Sequence, residues 1–229
     1  SIDGDTQNPY TDQRPGNNVL ILVITSNRGL CGGFNSSIVK EVTKKIETVY
    51  ANKNVSLITL GKKGNDILQK SFEVALNNND IFDALTFANA SAIADEFMEE
   101  FTNKKYDKIE VVYNRFKNAA TQIVTTETLL PIVSDQEKET SAVVDYIFEP
   151  SKEEIIQELL PKSIKMQLFK ALRDSFASEH GARMTAMHKA TDNATELRDQ
   201  LKLSYNQARQ AAITNEILEI VGGAEALSS

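Results

Sequence analysis

Residues Val19–Asn35 read VLILVITSNRGLCGGFN: six consecutive apolar residues, a loop with three glycines, and the first residues of an amphipathic run. A short apolar run bounded by a turn has the pattern of a strand buried on both faces. A glycine-rich turn leading from such a strand into a helix is also the geometry that cradles phosphate. Free backbone N–H groups and the helix dipole there converge on one spot. The stretch therefore sets the fold class as α/β and asks whether the loop holds a nucleotide. Two patterns test that. A phosphate-binding Walker loop needs Lys-Ser/Thr after its last glycine, and here Gly33 is followed by Phe34 and Asn35. The dinucleotide fingerprint needs G-x-G-x-x-G, whereas Gly29, Gly32 and Gly33 run G-x-x-G-G. Neither is met. The expectation is a tight βα turn that Gly32 and Gly33 permit, with Arg28 and Asn35 hydrogen-bonding around it.

Outward from this stretch, short apolar runs alternate with helical periodicity, the signature of βαβ units around a largely parallel sheet. Strands are expected near 19–25, 55–60 and 108–115, and helices near 34–51, 62–70 and 91–103. In the last of these, Ile93, Phe97 and Phe101 fall four apart and form one apolar face for packing on the sheet. QIVTTETLLPI (122–132) and SAVVDYIFEP (141–150) are rich in β-branched and aromatic residues and read as two further strands. Pro150 closes this domain, 19–150, and the polar SIDGDTQNPYTDQRPGNN before it, 1–18, reads as a linker.

The chain then changes character. After Pro161 there is no proline, and glycine occurs only at Gly181 before Gly222 and Gly223. SKEEIIQE at 151–158 opens the region as a helix start, with Ser151 as N-cap and Glu154 completing a capping box. Roughly 60 residues of uninterrupted helix propensity follow, a rod of about 90 Å at 1.5 Å per residue. A helix of that length needs another helix over its apolar stripe. One stripe steps through Ala190, Ala194, Leu197, Leu201, Ser204, Ala208, Ala211, Asn215 and Leu218, with small residues suited to close coiled-coil packing. A second runs through Ile213, Ile217, Ile220, Ala224 and Leu227 on a different side, so more than one partner surface is expected there. Arg209, Gln210, Thr214 and Glu216 lie among these apolar residues. Carried into an interface, they would make charge-assisted hydrogen bonds.

Composition narrows the function. The chain of 229 residues is 41% hydrophobic with a net charge of −7, which argues against a nucleic-acid binder. Residues 151–229 are nearly neutral, so the acidity sits in 1–150. The apolar runs are too short to cross a bilayer. Cys31, the sole cysteine, reads as a small buried residue with no local partner for nucleophilic catalysis. His180 and His188 are eight apart, too far to share a metal on one helix face, and read as surface or interface residues. Two readings of another class stay open on the residues alone: a nucleotide-binding α/β enzyme that dimerises through its long helix, and a coiled-coil tether.

Four segments resemble the gamma subunit of the bacterial F-type rotary ATP synthase: TSNRGLCGGFN (25–35), DYIFEP (145–150), SEHGARMTAMHKATDNA (178–194) and LSYNQARQAAITNEILEIVGGAEAL (203–227). The resemblance runs from about Val19 to Leu227. It implies a Rossmann-like α/β domain that is not a nucleotide site, and a long C-terminal helix forming half of an antiparallel coiled coil. It further implies a non-catalytic central-stalk rotor subunit of a proton-translocating ATP synthase, with no cofactor. Such a subunit couples rotation of the membrane c-ring to ATP synthesis or hydrolysis at the beta subunits. Arg183, Arg209, Gln210, Thr214 and Glu216 match family positions that meet the beta subunits. Ile213, Ile217, Ile220, Ala224 and Leu227 match an apolar bearing inside the alpha and beta ring. Tyr146 and Glu149 match the foot, near the epsilon subunit and the c-ring. The implied location is the cytoplasmic side of a bacterial inner membrane, peripheral and without transmembrane insertion. The family begins with an N-terminal helix, and Ser1 stands in what would be the linker after it. Ala194, Leu197, Leu201 and Ala208 are therefore expected to lack a partner within the chain, and the isolated chain to fray or self-associate.

Overall fold

The computed structural model describes residues 9–132 and 152–228, and in the last helix the side chains of 157–227. Its elements are β1 (Asn18–Ile24), α1 (Phe34–Thr48), β2 (Asn54–Leu60), α2 (Lys62–Leu68), β3 (Val74–Asn78), α3 (Phe87–Thr102), β4 (Lys108–Asn118), β5 (Thr121–Leu130) and α4 (Lys152–Ser228). The sheet order is β3-β2-β1-β4-β5, with β1 at the centre. The β1–β2, β1–β4 and β2–β3 pairs are parallel, and β5 adds antiparallel to β4. Every residue of Val19–Ile24 is 0% exposed, as a strand flanked on both edges and covered on both faces requires.

Alternation along the strands sorts the core into two layers. Val19, Ile21 and Val23 pack with Ile38 and Val42 of α1, Leu68 of α2 and Val112 of β4. Leu20, Leu22 and Ile24 pack on the other face with Ile93, Phe97 and Phe101 of α3 and with Ile164, Leu168, Ala171 and Leu172 of α4. Fully burying each large aliphatic side chain contributes about 1.5–3 kcal/mol. α3 starts where Thr86 accepts a hydrogen bond from the Asn89 N–H, so it begins a turn earlier than its apolar spacing suggests. A 2.6 Å ion pair between Lys165 and Asp95 ties α4 to α3. The turn from β2 into α2 demands glycine at 61. Its φ is +113°, and a Cβ there would lie 2.2 Å from the Thr25 carbonyl oxygen.

The expected strands and helices of 19–115 are present with ends shifted by a few residues, and 122–132 is matched by β5. β3 is an addition: VALNN offers only Val74 and Leu76 as alternating apolar residues on an edge strand, too weak a pattern to read. The last helix is longer than the expected 60 residues. It spans 77 and continues across Pro161, which removes one N–H from the ladder without ending it. The expected strand at 141–150, the boundary at 150 and 151, the cap at Ser151 and the foot residues Tyr146 and Glu149 lie outside the described residues, as does the side chain of Glu154.

Two compact units divide within α4. One runs through Thr185 and holds the sheet and its helices. The other begins at Ala186 and is helix alone. Among the described residues no helix is long and apolar enough to cross a membrane.

Candidate functional site

The glycine-rich turn is closed by its own side chains. Asn35 accepts from the Ser26 N–H at 2.9 Å and donates through Nδ2 to Ser26 Oγ at 2.7 Å. Ser26 Oγ in turn lies 2.6 Å from the Arg28 carbonyl. Asn35 thus acts as expected, while Arg28 takes part through its carbonyl oxygen rather than its guanidinium. Gly32 sits at φ +59°, and Leu30, at φ +63°, is presented at the tip with 78% of its surface exposed. Cys31 is buried beside Phe34, and both pack on Ala182 of α4.

The turn lies at the C-terminal end of β1, next to β4. Chain order reverses at this point in the sheet, and open α/β sheets usually offer a ligand crevice there. Here the chain fills it. Asn114 of β4 donates to the Phe34 carbonyl at 3.0 Å, Ala182 covers Cys31 and Phe34, and Ser175, Ser178 and Glu179 of α4 are buried nearby along the same helix face. Arg183 Nη2 donates to the carbonyls of Arg28 at 3.2 Å and Gly29 at 3.4 Å, and Nη1 pairs with Glu179 at 2.8 Å. The loop turns carbonyl oxygens toward a guanidinium, a polarity opposite to the one that holds phosphate. Among the described residues no cluster of His, Cys, Asp and Glu has metal-binding spacing. His180 is exposed and stacks edge-on against Phe176 at 4.5 Å.

Beyond Ala186 the helix presents two apolar faces. At about 100° per residue, Ile213, Ile217, Ile220, Ala224 and Leu227 form one strip. The strip from Ala190 to Leu218 lies on roughly the opposite side. Arg209 and Glu216 rim one edge of the first strip, Gln210 and Thr214 the other. Thr214 Oγ1 donates back to the Gln210 carbonyl at 2.9 Å. From Met187 to Leu227 every residue except Asn206 is exposed, and Leu227 reaches 91%. The structure therefore groups Arg209, Gln210, Thr214 and Glu216 with the apolar strip, and sets Arg183 in the other unit against the turn.

Known proteins share the sequence and the fold of this chain. The ATP synthase family pattern matches residues 1–227. The chain is 63% identical to the ATP synthase gamma chain of Christiangramia forsetii, over 100% of this chain and 79% of that one. The chain belongs to the ATP synthase gamma chain family. The gamma chain of Flavobacterium johnsoniae is 60% identical, again over 100% of this chain and 79% of that one. A chain in the structure of the central stalk and c-ring of the Tetrahymena thermophila mitochondrial ATP synthase superposes with a TM-score of 0.61 at 27% identity, covering 79% of this chain and 80% of that one. A chain of the Euglena gracilis mitochondrial ATP synthase shares the fold, with a TM-score of 0.69 and coverage of 98% and 78% at 23% identity. A gamma chain is a subunit of the synthase complex, and its function is that of the central-stalk rotor.

In this gamma-family chain the sequence pattern did not reveal a buried charge cluster on the α1 side of the sheet. Glu110 of β4 is 3% exposed. It meets the ammonium of Lys108 at 2.8 Å and that of Lys45 at 2.5 Å, the latter an ion pair without hydrogen-bond alignment. Burial pushes the Glu110 carboxyl up, and the two lysines more than offset it, so its pKa falls below the ordinary value. Burial and then Glu110 push the nearby Tyr50 phenol up to about 12. On the opposite face Tyr113 donates to Glu127 at 2.6 Å, and Gln167 of α4 donates to the same carboxylate at 3.2 Å. Glu110 carried no readable signal because a lone acid in an apolar strand is legible only beside its distant lysines.

Proposed function

We propose that this chain is the turning shaft of its complex and performs no catalysis itself. Rotation of the membrane c-ring turns it, and its exposed half acts on the beta subunits, where ATP is made or hydrolysed. Arg209, Gln210, Thr214 and Glu216 contact loops of the beta subunits. Ile213, Ile217, Ile220, Ala224 and Leu227 run in an apolar bearing formed by the alpha and beta ring. The opposite strip, Ala194, Leu197, Leu201 and Ala208 among it, packs against an antiparallel helix. Tyr146 and Glu149 belong to the foot that meets the epsilon subunit and the c-ring. The site of action is the cytoplasmic side of a bacterial inner membrane, where the subunit is peripheral.

The observation that carries this reading is the pair of opposed apolar faces on a bare helix, one of them rimmed by polar side chains. A single partner surface would need one face. Each orientation of such a shaft makes different contacts with three otherwise equal beta subunits, and the difference in contact free energy biases which one is open, loose or tight. A charge-assisted hydrogen bond of about 1.5–3 kcal/mol is enough to shift such an equilibrium roughly tenfold or more. The test is reconstitution with alpha and beta subunits. An Arg209→Ala/Glu216→Ala double variant is expected to lower coupled ATP turnover while the sheet domain stays folded by circular dichroism. Turnover equal to that of the parent would remove these residues from the contact.

A further inference from the structure

We propose that Gly181, Arg183 and Thr185, together with Glu179, form a torque latch that locks α4 to the sheet domain so that the two turn as one. The inference rests on the rotor reading above and names how torque passes between the helix and the domain beside it.

Two loops at the C-terminal edge of the sheet are gripped from opposite sides of the helix. Arg183 and Thr185 are two residues apart, about 200° around the axis. Arg183 holds the glycine-rich turn by the carbonyls of Arg28 and Gly29. Glu179, 9% exposed, fixes the guanidinium at 2.8 Å. Thr185 Oγ1 lies 3.1 Å from the Ala119 carbonyl at the β4–β5 hairpin tip, and 3.1 Å from the carbonyl of Gly181 one turn back. Gly181 lets the hairpin backbone seat on the helix. A Cβ there would stand 3.0 Å from Ala119 Cα and 3.2 Å from its oxygen.

Both gripped loops are stiff in their own right. Asn118 Oδ1 accepts from the N–H groups of Ala120 and Thr121 across the hairpin tip. Ser26 and Asn35 close the turn. Farther back on α4, apolar packing at Ile164, Leu168, Ala171 and Leu172 is non-directional, and the directional ties are the Lys165–Asp95 ion pair and the Gln167–Glu127 hydrogen bond, about five turns before Thr185. Hydrogen bonds to two separate loops are directional. They sit at the last turn of α4 before the compact unit ends at Thr185. This is the place where a twist entering the helix must be transmitted or lost.

The experiment uses the assembled complex in lipid vesicles, with ATP hydrolysis and ATP-driven proton uptake measured together. A Gly181→Ala/Thr185→Val double variant is expected to hydrolyse ATP within about twofold of the parent while proton uptake per ATP falls at least threefold, with Thr185→Ser behaving like the parent. A role confined to stability would lower the melting temperature and leave that ratio unchanged. Unchanged uptake per ATP overturns the latch. So does an equal loss of hydrolysis and uptake. If the double variant does not assemble, Thr185→Val and Gly181→Ala are read singly by the same ratio. Hydrogen exchange is expected to quicken about tenfold over residues 27–31 in Arg183→Gln and over 118–121 in Thr185→Val, and unchanged exchange likewise overturns the proposal. A parent complex that neither hydrolyses nor pumps would count against the rotor reading instead, and the exchange measurement would still decide the latch.

Discussion

Between Ile164 and Ala182, α4 buries Ile164, Leu168, Ala171 and Leu172 to 1% exposure or less, and its small polar residues Ser175 and Ser178 are equally enclosed. Between Met187 and Leu227 the same helix exposes Leu197 at 56%, Leu201 at 62% and Ile220 at 71%. Both halves belong to one continuous helix, so the difference lies in what covers them. The first half carries large aliphatic side chains at helical spacing, matched to pockets of the sheet. The second carries small residues between Leu197, Leu201 and Leu218 along one strip and three isoleucines with Ala224 and Leu227 along the opposite one, and all of them are exposed. Length of helix says nothing about where its stability comes from. The first half is stabilised by the sheet, and the second has no such cover among the described residues.

Four substitutions would break or sharpen that contrast. Leu168→Ala removes a fully buried side chain and is expected to cost about 3 kcal/mol in chemical denaturation of the sheet unit. A loss under about 1 kcal/mol would mean that the first half of α4 is not seated on the sheet.

Glu110→Gln leaves Lys45 and Lys108 facing a neutral group. With the Lys108 side chain 34% exposed, the cost is discounted to about 2 kcal/mol. Its pH dependence has a definite sign. The Glu110 pKa is lowered on folding, so its stabilisation is present above the ordinary carboxylate value near 4.3 and is lost as pH falls through its lower folded value. Acid unfolding below about pH 4 should therefore be shallower in the variant. On the alkaline side, Lys108 and Tyr50 both have raised folded values. They contribute stability up to about pH 10 that is lost as pH rises through those values, about 12 for Tyr50.

Tyr113→Phe removes the hydrogen bond to Glu127 and is expected to cost about 1 kcal/mol by thermal melting, since Gln167 still satisfies the carboxylate. Ile217→Ala, at 55% exposure, is expected to change the stability of the chain alone by less than about 0.5 kcal/mol. In the assembled complex it should cost more, and an equal small effect in both states would show that its strip meets nothing.

Much of this was readable from residue order. VLILVI at 19–24 announced the central strand, and Ile93, Phe97 and Phe101 announced the buried face of α3. The missing lysine after Gly33 argued against phosphate in the turn. Gly181 stood alone in a long run without glycine, a signal whose meaning lay in Ala119, a hairpin tip some 60 residues earlier. Pairings of that kind are set by topology, and a linear pattern holds no distance. For the same reason Arg183 read as one of five similar polar residues, while the fold gives it the carbonyls of Arg28 and Gly29. Glu110 could not be singled out before Lys45 and Lys108 were brought beside it.

The central place of β1 also sets a timetable for the chain's birth. β1 pairs with β2 through Asn18–Ile24 and Asn54–Leu60, a closure available early in synthesis. Its other edge waits for Lys108–Val112. At ribosomal rates of about 5–20 residues per second, that interval is roughly 2–10 s. Throughout it the most apolar strand of the molecule carries one open backbone edge, the form of nascent chain most prone to pair with a neighbour. Conditions that slow elongation between residues 60 and 108 should thus lower the soluble yield, without altering the stability of the molecules that finish.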